Sequence, residues 1–446
     1  MLKAVTVAVN QLKIGMYVAE LDRPWLETPF LFQGFYIRDQ DEIEELKKYC
    51  DYVYVYIEGS ADMEPLKYGV RSRMLARISG AAADGFKKSP LRFEPRFLPR
   101  FLSRARRARP PESFEDEVAQ RQEVYKETAN LKEEMKNATI AHEEAVHTVH
   151  ELMDSLRTSD KMDVQRLQTA VTPMVDSILR NPAALACLVR LRSKDSYVYR
   201  HSLASMVWAT VLGRHVGLSR DDLQVVALGG LLLDVGKVKL PDAVLQKPGT
   251  LDERERELVQ RHVELSLGIL KKTRAMDKRV MDMVAHHHER FNGSGYPEGL
   301  KGSQIPVFGR IAGLVDTYDA MISPRPYAKP RSSYDAFREL RALADVEFQT
   351  EMIDQFTQAI GVFPTGTLVE LNTGEIAVVT KQNRVRRLRP EIMIIMNSEK
   401  EFLESFRVAD LSKQSQAEKG RHETLWIERG VPPGSYGIDP AEFFLD

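Results

Sequence analysis

The sequence predicts a mainly α-helical protein with a small α/β domain at its N-terminus and a short β extension near its C-terminus. Three observations predict this. From 160 to 360, apolar residues recur at spacings of three and four with short polar breaks, the period of helices that bury one face. Near the start, "KAVTVAV" and "DYVYVYI" alternate with the period of half-buried strands. After 360, the alternation returns in "GTLVELNTGEIAVVTKQ" and "EIMIIMN".

Residues 1–60 form the first unit. Between its two strands, "RDQDEIEELKKYC" sets Ile43, Leu46 and Tyr49 on one helical face. Residues 61–118 change character. From Arg71 to Arg109 there are 12 Lys or Arg against two acids, with Phe93, Phe97 and Phe101 evenly spaced. Such a stretch could attract nucleic acid or acidic lipid. Pro95 and Pro99 prevent a continuous basic helix, which favours a linker pinned down by its phenylalanines.

Residues 119–160 lack Gly and Pro over most of their length and mix charges at i to i+4 spacing, as a long, exposed connecting helix would. His142, His147 and His150 read as polar surface there, since a step of five leaves a shared helical face. Residues 161–360 make the all-helical domain, with about seven helices expected from the periodicity. Residues 361–400 form the β extension, its first hairpin turning at Asn372, Thr373 and Gly374, and 401–446 read as a polar, irregular tail.

At 446 residues the chain exceeds one small domain. With 43% hydrophobic residues, 28% charged residues and a net charge of −1, nothing global argues for nucleic acid or a membrane surface. Two cysteines, Cys50 and Cys187, exclude a disulfide framework and suit a reducing compartment. No apolar run is long enough for a membrane span and the start does not read as a secretory leader, so a cytoplasmic location is expected.

The chemistry concentrates in the helical domain. An apolar helix through Val225, Leu228, Leu231 and Leu232 ends at Leu233 and Asp234, followed by Gly236 and Lys237. A carboxylate there is costly unless a metal, a cation or a hydrogen-bond network meets it. His201, His262, His287, His288 and Asp316 likewise sit at helix centres or ends beside apolar residues. Imidazoles and carboxylates converging from several helices suit divalent metal, and this set is too large for one tetrahedral ion. The loop "FNGSGYPEGLKG" follows the histidine pair; Gly293, Gly295 and Gly299 permit positive φ and close approach, Pro297 stiffens it, and it would rim the metals.

Together, "DVGK" (234–237), "LPDAVLQKPGTL" (240–251), His262, "HHERFNGSGYP" (287–297), "IPVFGRIAGLVDTYDAM" (305–321) and "RPY" (325–327) resemble the HD-GYP family, bacterial phosphodiesterases of the HD hydrolase superfamily. The opening 60 residues resemble the small domain of unknown function that precedes many members, and 363–396 resembles the extension that often follows them. The resemblance implies an HD-type helical catalytic domain that hydrolyses cyclic di-GMP to linear pGpG or on to GMP, using iron or manganese. It implies that Asp234 bridges two metals, with His201 and Asp316 completing the first and His262, His287 and His288 the second. Lys237 would contact the scissile phosphate or anchor the nearby carboxylate, Arg325 would bind substrate phosphate, and Gly295 and Tyr296 would border the substrate; no side-chain nucleophile is expected.

Three departures stand out. The family's His-Asp pair is here Leu233-Asp234, so the first metal loses an imidazole. Tyr197 stands where some members carry a glutamate for a third ion, which sets the expectation at two metals at most. Ala328 follows "RPY" where many members have a basic residue. The extra His286 is not expected to rescue the missing ligand, because adjacent helical residues point about 100° apart. The expectation is therefore a cyclic di-GMP phosphodiesterase with an impaired first metal position. The rival is an inactive sensor of cyclic di-GMP or an interaction module, engaging a diguanylate cyclase through the GYP loop. A nucleotide phosphohydrolase of the wider superfamily is a weaker third reading, and the helices at 118–159 would permit a homodimer.

Overall fold

The computed structural model describes residues 2–14, 16–22, 35–37, 40–58, 123–159, 162–191, 197–325, 329–383, 387–413 and 425–443. The basic, phenylalanine-spaced stretch of 61–118 lies outside the described residues. The chain divides into Met1–Arg109 and Pro110–Asp446.

In the first unit, β1 (Leu2–Ala8), β2 (Tyr17–Leu21), β3 (Phe35–Tyr36) and β4 (Tyr52–Glu58) make an antiparallel sheet of order β1-β4-β2-β3. The period-two stretches run as expected: β1 pairs with β4 from Leu2–Glu58 to Ala8–Tyr52. Helix α1 (Gln40–Tyr49) buries Ile43 and Leu46 on the same small core as Val18, Val53 and Val55.

The second unit opens with α2 (Leu131–Thr158), where the Asn130 side chain caps the helix by accepting the Glu133 N–H at 2.9 Å. The expected exposed connecting helix is corrected here. Met135, Ala138, Ala141, Ala145, Val149, Leu152 and Leu156 are buried in the main core. Three of them are alanines, so a narrow apolar stripe is hidden in a charged composition. His142 is buried too, contrary to the surface reading, whereas His147 is largely exposed and His150 packs on Tyr199 at 4.0 Å.

Next come α3 (Val164–Arg180), α4 (Pro182–Leu191), α5 (Tyr197–His215) and α6 (Arg220–Leu232). A Cβ on Gly230 would lie 2.8 Å from the Met206 Cα, so α5 and α6 touch backbone to backbone at the centre of the domain. A 3-10 turn, Val235–Lys239, leads to the short α7 (Asp242–Leu245). The stretch 253–272 divides into α8 (Glu253–Gln260) and α9 (His262–Lys272). Then follow α10 (Lys278–His286), α11 (Val307–Ile322), α12 (Ser333–Ala342) and α13 (Thr350–Ile360). Trp208, Tyr318 and Phe356 are among the largest side chains fully buried between them. The described helices outnumber the seven expected because α4 and α7 are short and because α8 and α9 meet with no Gly or Pro between them.

The C-terminal sheet has the order β8-β7-β6-β5-β9, from β5 (Leu368–Leu371), β6 (Ile376–Lys381), β7 (Glu391–Met396), β8 (Phe402–Asp410) and β9 (Ile427–Val431). The expected hairpin is present, with Gly374 at φ +82°. The irregular tail is not: β8 and β9 lie beyond 400 and form the two edges of the sheet. Edge strands expose one side and one row of backbone groups, and β8 is mostly solvent-facing, so its composition reads as tail. Among the described residues no helix is long and apolar enough to cross a membrane.

Candidate functional site

The site begins where α6 stops. Leu233 still has helical torsions, but Asp234 leaves the helix at φ −104°, ψ 12° and the chain tightens into the 3-10 turn. A Cβ on Gly236 would lie 2.2 Å from the His262 carbonyl oxygen, so the turn presses against the start of α9 with no room for a side chain. Ser266 locks the crossing: its Oγ accepts the Gly236 N–H at 2.8 Å and donates to the Leu233 carbonyl at 3.2 Å. Main-chain packing thereby fixes Asp234 beside His262.

His262 opens α9, and His287 and His288 follow α10. His262 Nδ1–H donates to the Val259 carbonyl and His287 Nδ1–H to the Val284 carbonyl, both at 2.7 Å. A neutral imidazole carries one N–H, so both Nε2 atoms present lone pairs. Those bare nitrogens face each other at 3.3 Å, with His288 Nε2 3.2 Å from that of His262. Asp234 Oδ1 lies 3.2 Å from His262 Nε2 and 3.9 Å from His287 Nε2, is buried, and accepts no hydrogen bond. Burial keeps the rings neutral: it lowers His262 to about 4 against the opposing charge of Asp234, lowers His287 and takes His288 well below the usual range. The ligand atoms of Asp234, His262, His287 and His288 converge within 4.8 Å of one another, as the donor set of a divalent cation would.

The other side of Asp234 differs. His201, on α5, donates Nδ1–H to Asp319 Oδ2 at 2.7 Å, and Trp208 Nε1–H donates to Asp319 Oδ1 at 3.1 Å. His201 Nε2 lies 2.9 Å from Asp316 Oδ1 and 3.5 Å from Asp234 Oδ2. Lys237 Nζ donates to that same Oδ2 at 2.5 Å. Burial would depress the His201 pKa, but Asp316 and Asp319 outweigh it and raise the imidazole to about 9. Asp316 and Asp234 are both held below the usual carboxylate range against burial, Asp316 chiefly by His201 and Asp234 by Lys237, His262 and His201. Leu233 is 1% exposed and packs into the hydrophobic core.

Asp319 is a residue of the candidate site that the sequence reading missed. Its signal is the second aspartate of "DTYD", one turn beyond Asp316 on an otherwise apolar helix. Glu289 is another. Its buried carboxylate accepts the N–H groups of Glu298 (2.7 Å), Gly299 (3.1 Å) and Leu300 (2.9 Å), which shapes the glycine-rich loop. Gly293 and Gly299 take positive φ, +81° and +66°. Gly295 does not; it is small because a Cβ would lie 2.4 Å from both Arg290 N and the His288 carbonyl oxygen. The Tyr296 N–H donates to that carbonyl at 3.2 Å, and its ring stacks on His288 at 4.6 Å. His286 turns elsewhere, with Nδ1–H on the Asp282 carbonyl at 2.7 Å and Nε2 3.8 Å from Glu298. Arg325 is half-buried just beyond the end of α11, while Pro326, Tyr327, Ala328 and the Tyr197 side chain lie outside the described residues.

Comparison with known proteins finds three matching families along the chain, the most N-terminal of which extends past Arg109 through α2. A family described as "HD domain" matches residues 186–351, "Domain of unknown function (DUF3391)" matches 4–167, and "KOW domain associated with HD domain" matches 368–417. The chain is similar to a cyclic di-GMP phosphodiesterase of Pseudomonas aeruginosa, 30% identical and covering 93% of this chain and 90% of that protein. A cyclic di-GMP phosphodiesterase of Thermotoga maritima is 32% identical over 36% of this chain and 45% of its own length. A 3'3'-cGAMP-specific phosphodiesterase of Vibrio cholerae is 33% identical over 38% of this chain and 32% of its own length.

Proposed function

The chain belongs to the HD-GYP family of phosphodiesterases, and from that premise we propose that it hydrolyses cyclic di-GMP to the linear dinucleotide, or on to GMP, with a divalent metal and an impaired first metal position. One observation carries the reading: the bare Nε2 atoms of His262 and His287 face each other beside an Asp234 oxygen that accepts no hydrogen bond, an arrangement that a bound cation stabilises. Iron or manganese, as the family resemblance implies, suits imidazole and carboxylate donors. When bound, the ion supplies a Lewis acid for a phosphoryl oxygen and lowers the pKa of water at the site.

The protein's own residues do the positioning. Lys237, partly exposed beside Asp234, offers an ammonium to the scissile phosphate. Arg325 offers a guanidinium fork to phosphate oxygens. Tyr296 and Gly295 hold the loop against His288, so this edge meets the nucleotide while Glu289 keeps the loop shaped. Product release from cyclic di-GMP by protein loaded with Fe(II) or Mn(II) tests the reading. Turnover is expected in the wild type, falling by at least about 100-fold in Asp234→Ala and rising in Leu233→His. Persistent turnover in Asp234→Ala would overturn it.

Leu233 favours a second reading. A site short of one imidazole can bind cyclic di-GMP without cleaving it and report the bound state to a diguanylate cyclase through the GYP loop, or within a homodimer. Saturable nucleotide binding with no product in either metal, and none gained in Leu233→His, is the result that selects it.

A further inference from the structure

The geometry points to a mononuclear centre: Lys237 closes the position framed by His201, Asp316 and Asp234 Oδ2, and one divalent ion binds on the side of His262, His287 and His288. This rests on the metal-dependent reading above and extends it to the number and place of ions.

The two oxygens of Asp234 have opposite circumstances. Oδ1 faces the three imidazoles and accepts no hydrogen bond. Oδ2 holds the Lys237 ammonium at 2.5 Å, on the atom that a first-position metal would need. A dication there would face a like charge within a few ångströms, at low effective dielectric, unless Lys237 swung away.

The remaining groups on that side already have protein partners. Asp316 pairs with His201, His201 with Asp319, and Asp319 also accepts from Trp208 and, at 3.3 Å, from the Ser323 hydroxyl. The ligand atoms of His201, Asp234 and Asp316 do lie within 4.8 Å of one another, so it is Lys237 on Oδ2 that sets this side apart. Leu233 removes what could have tipped the balance. Its side chain lies in the apolar core, so it offers neither a donor atom nor a polar lining for a replacement water. Its carbonyl is engaged by Ser266. The family's metal pair thus becomes, in this chain, one metal and one ammonium sharing a carboxylate.

Ion counting tests this without substrate. The full-length protein and its variants are loaded with Mn(II), freed of excess and analysed by plasma mass spectrometry and EPR. One ion per chain is expected, with the EPR signal of an isolated Mn(II) rather than a coupled pair. That ion should be lost in His288→Ala and kept in Asp316→Asn. In Lys237→Met, affinity for a second ion should rise at least about tenfold, the low end of what a metal-site partner contributes. Circular dichroism of each variant shows that it is folded. Two ions in the wild type, an ion that survives His288→Ala but not Asp316→Asn, or no gain in Lys237→Met would each overturn the assignment. One ion without turnover upholds it and overturns the phosphodiesterase reading; two ions with turnover does the reverse.

Discussion

The two sides of Asp234 are built from the same residue types and are satisfied in opposite ways. Around His262 and His287, the ring N–H groups are spent on backbone carbonyls and the Nε2 lone pairs meet, with His288 Nε2 beside them. Around His201, each acid has a cation or an N–H of the protein itself. Burial is comparable on both sides. What differs is where the second imidazole nitrogen points: toward a carbonyl in one case, toward a carboxylate in the other. A carbonyl fixes the tautomer and leaves the ring neutral; a carboxylate invites a proton and makes the ring a cation.

The contrast can be broken most forcefully at His287. His287→Ala removes a ligand from the side that has no alternative, and metal affinity should fall by more than about 100-fold, beyond the effect of an outer partner. Equilibrium dialysis with Mn(II) checks this, and a loss below tenfold would show that the open side is not where the ion sits.

Acid and alkali should separate the two sides in metal-free protein. The unfolded chain protonates His262 near 6.5, whereas the folded chain resists until about 4, so this group's stabilisation is present above 6.5 and is lost as pH falls toward 4. His201 behaves inversely. Its contribution is complete below about 6.5 and is lost as pH rises through about 9. Each limb is worth a few kcal/mol on the order of the shifts. Thermal melts in chelator should show His262→Gln flattening the acid limb and His201→Gln the alkaline limb. Exchanged effects would reverse the assignment.

A smaller effect sharpens the comparison. Asp319→Asn exchanges an acceptor for an amide against the His201 Nδ1–H and should cost roughly 1–3 kcal/mol of stability. The ion count should not change, since the histidines of the open side do not touch Asp319. Denaturant melts and metal analysis on the same sample report both quantities. A lost ion would mean that the closed side holds metal after all.

Much of this was legible from pattern. The helix period of α5, α6 and α11 located His201, Asp234 and Asp316, and the structure brings these together with His262, His287 and His288. Asp319 was not legible, because i+3 on a buried helix is equally the spacing of an ordinary polar residue until a histidine from a distant helix is seen to meet it. The face of α2 escaped notice for a related reason: alanines bury little area and carry a weak signal, even though they let the helix approach closely. Strands β8 and β9 read as tail because edge position, not sequence, determines how much of a strand must be apolar.

The bare crossing of Gly236 over the start of α9 has a consequence for how such a site can change over generations. Distances between Asp234 and His262 are held by main chain and by Ser266, none of which depends on the side chain at 233. A lineage can therefore exchange an imidazole for a leucine at that position and inherit an undamaged neighbouring half. The same independence keeps the exchange reversible, since a histidine returned at 233 would find Asp234, His201 and Asp316 still in register. On the mononuclear reading, position 233 bears on the number of ions while the Gly236–Ser266 crossing is built without its side chain.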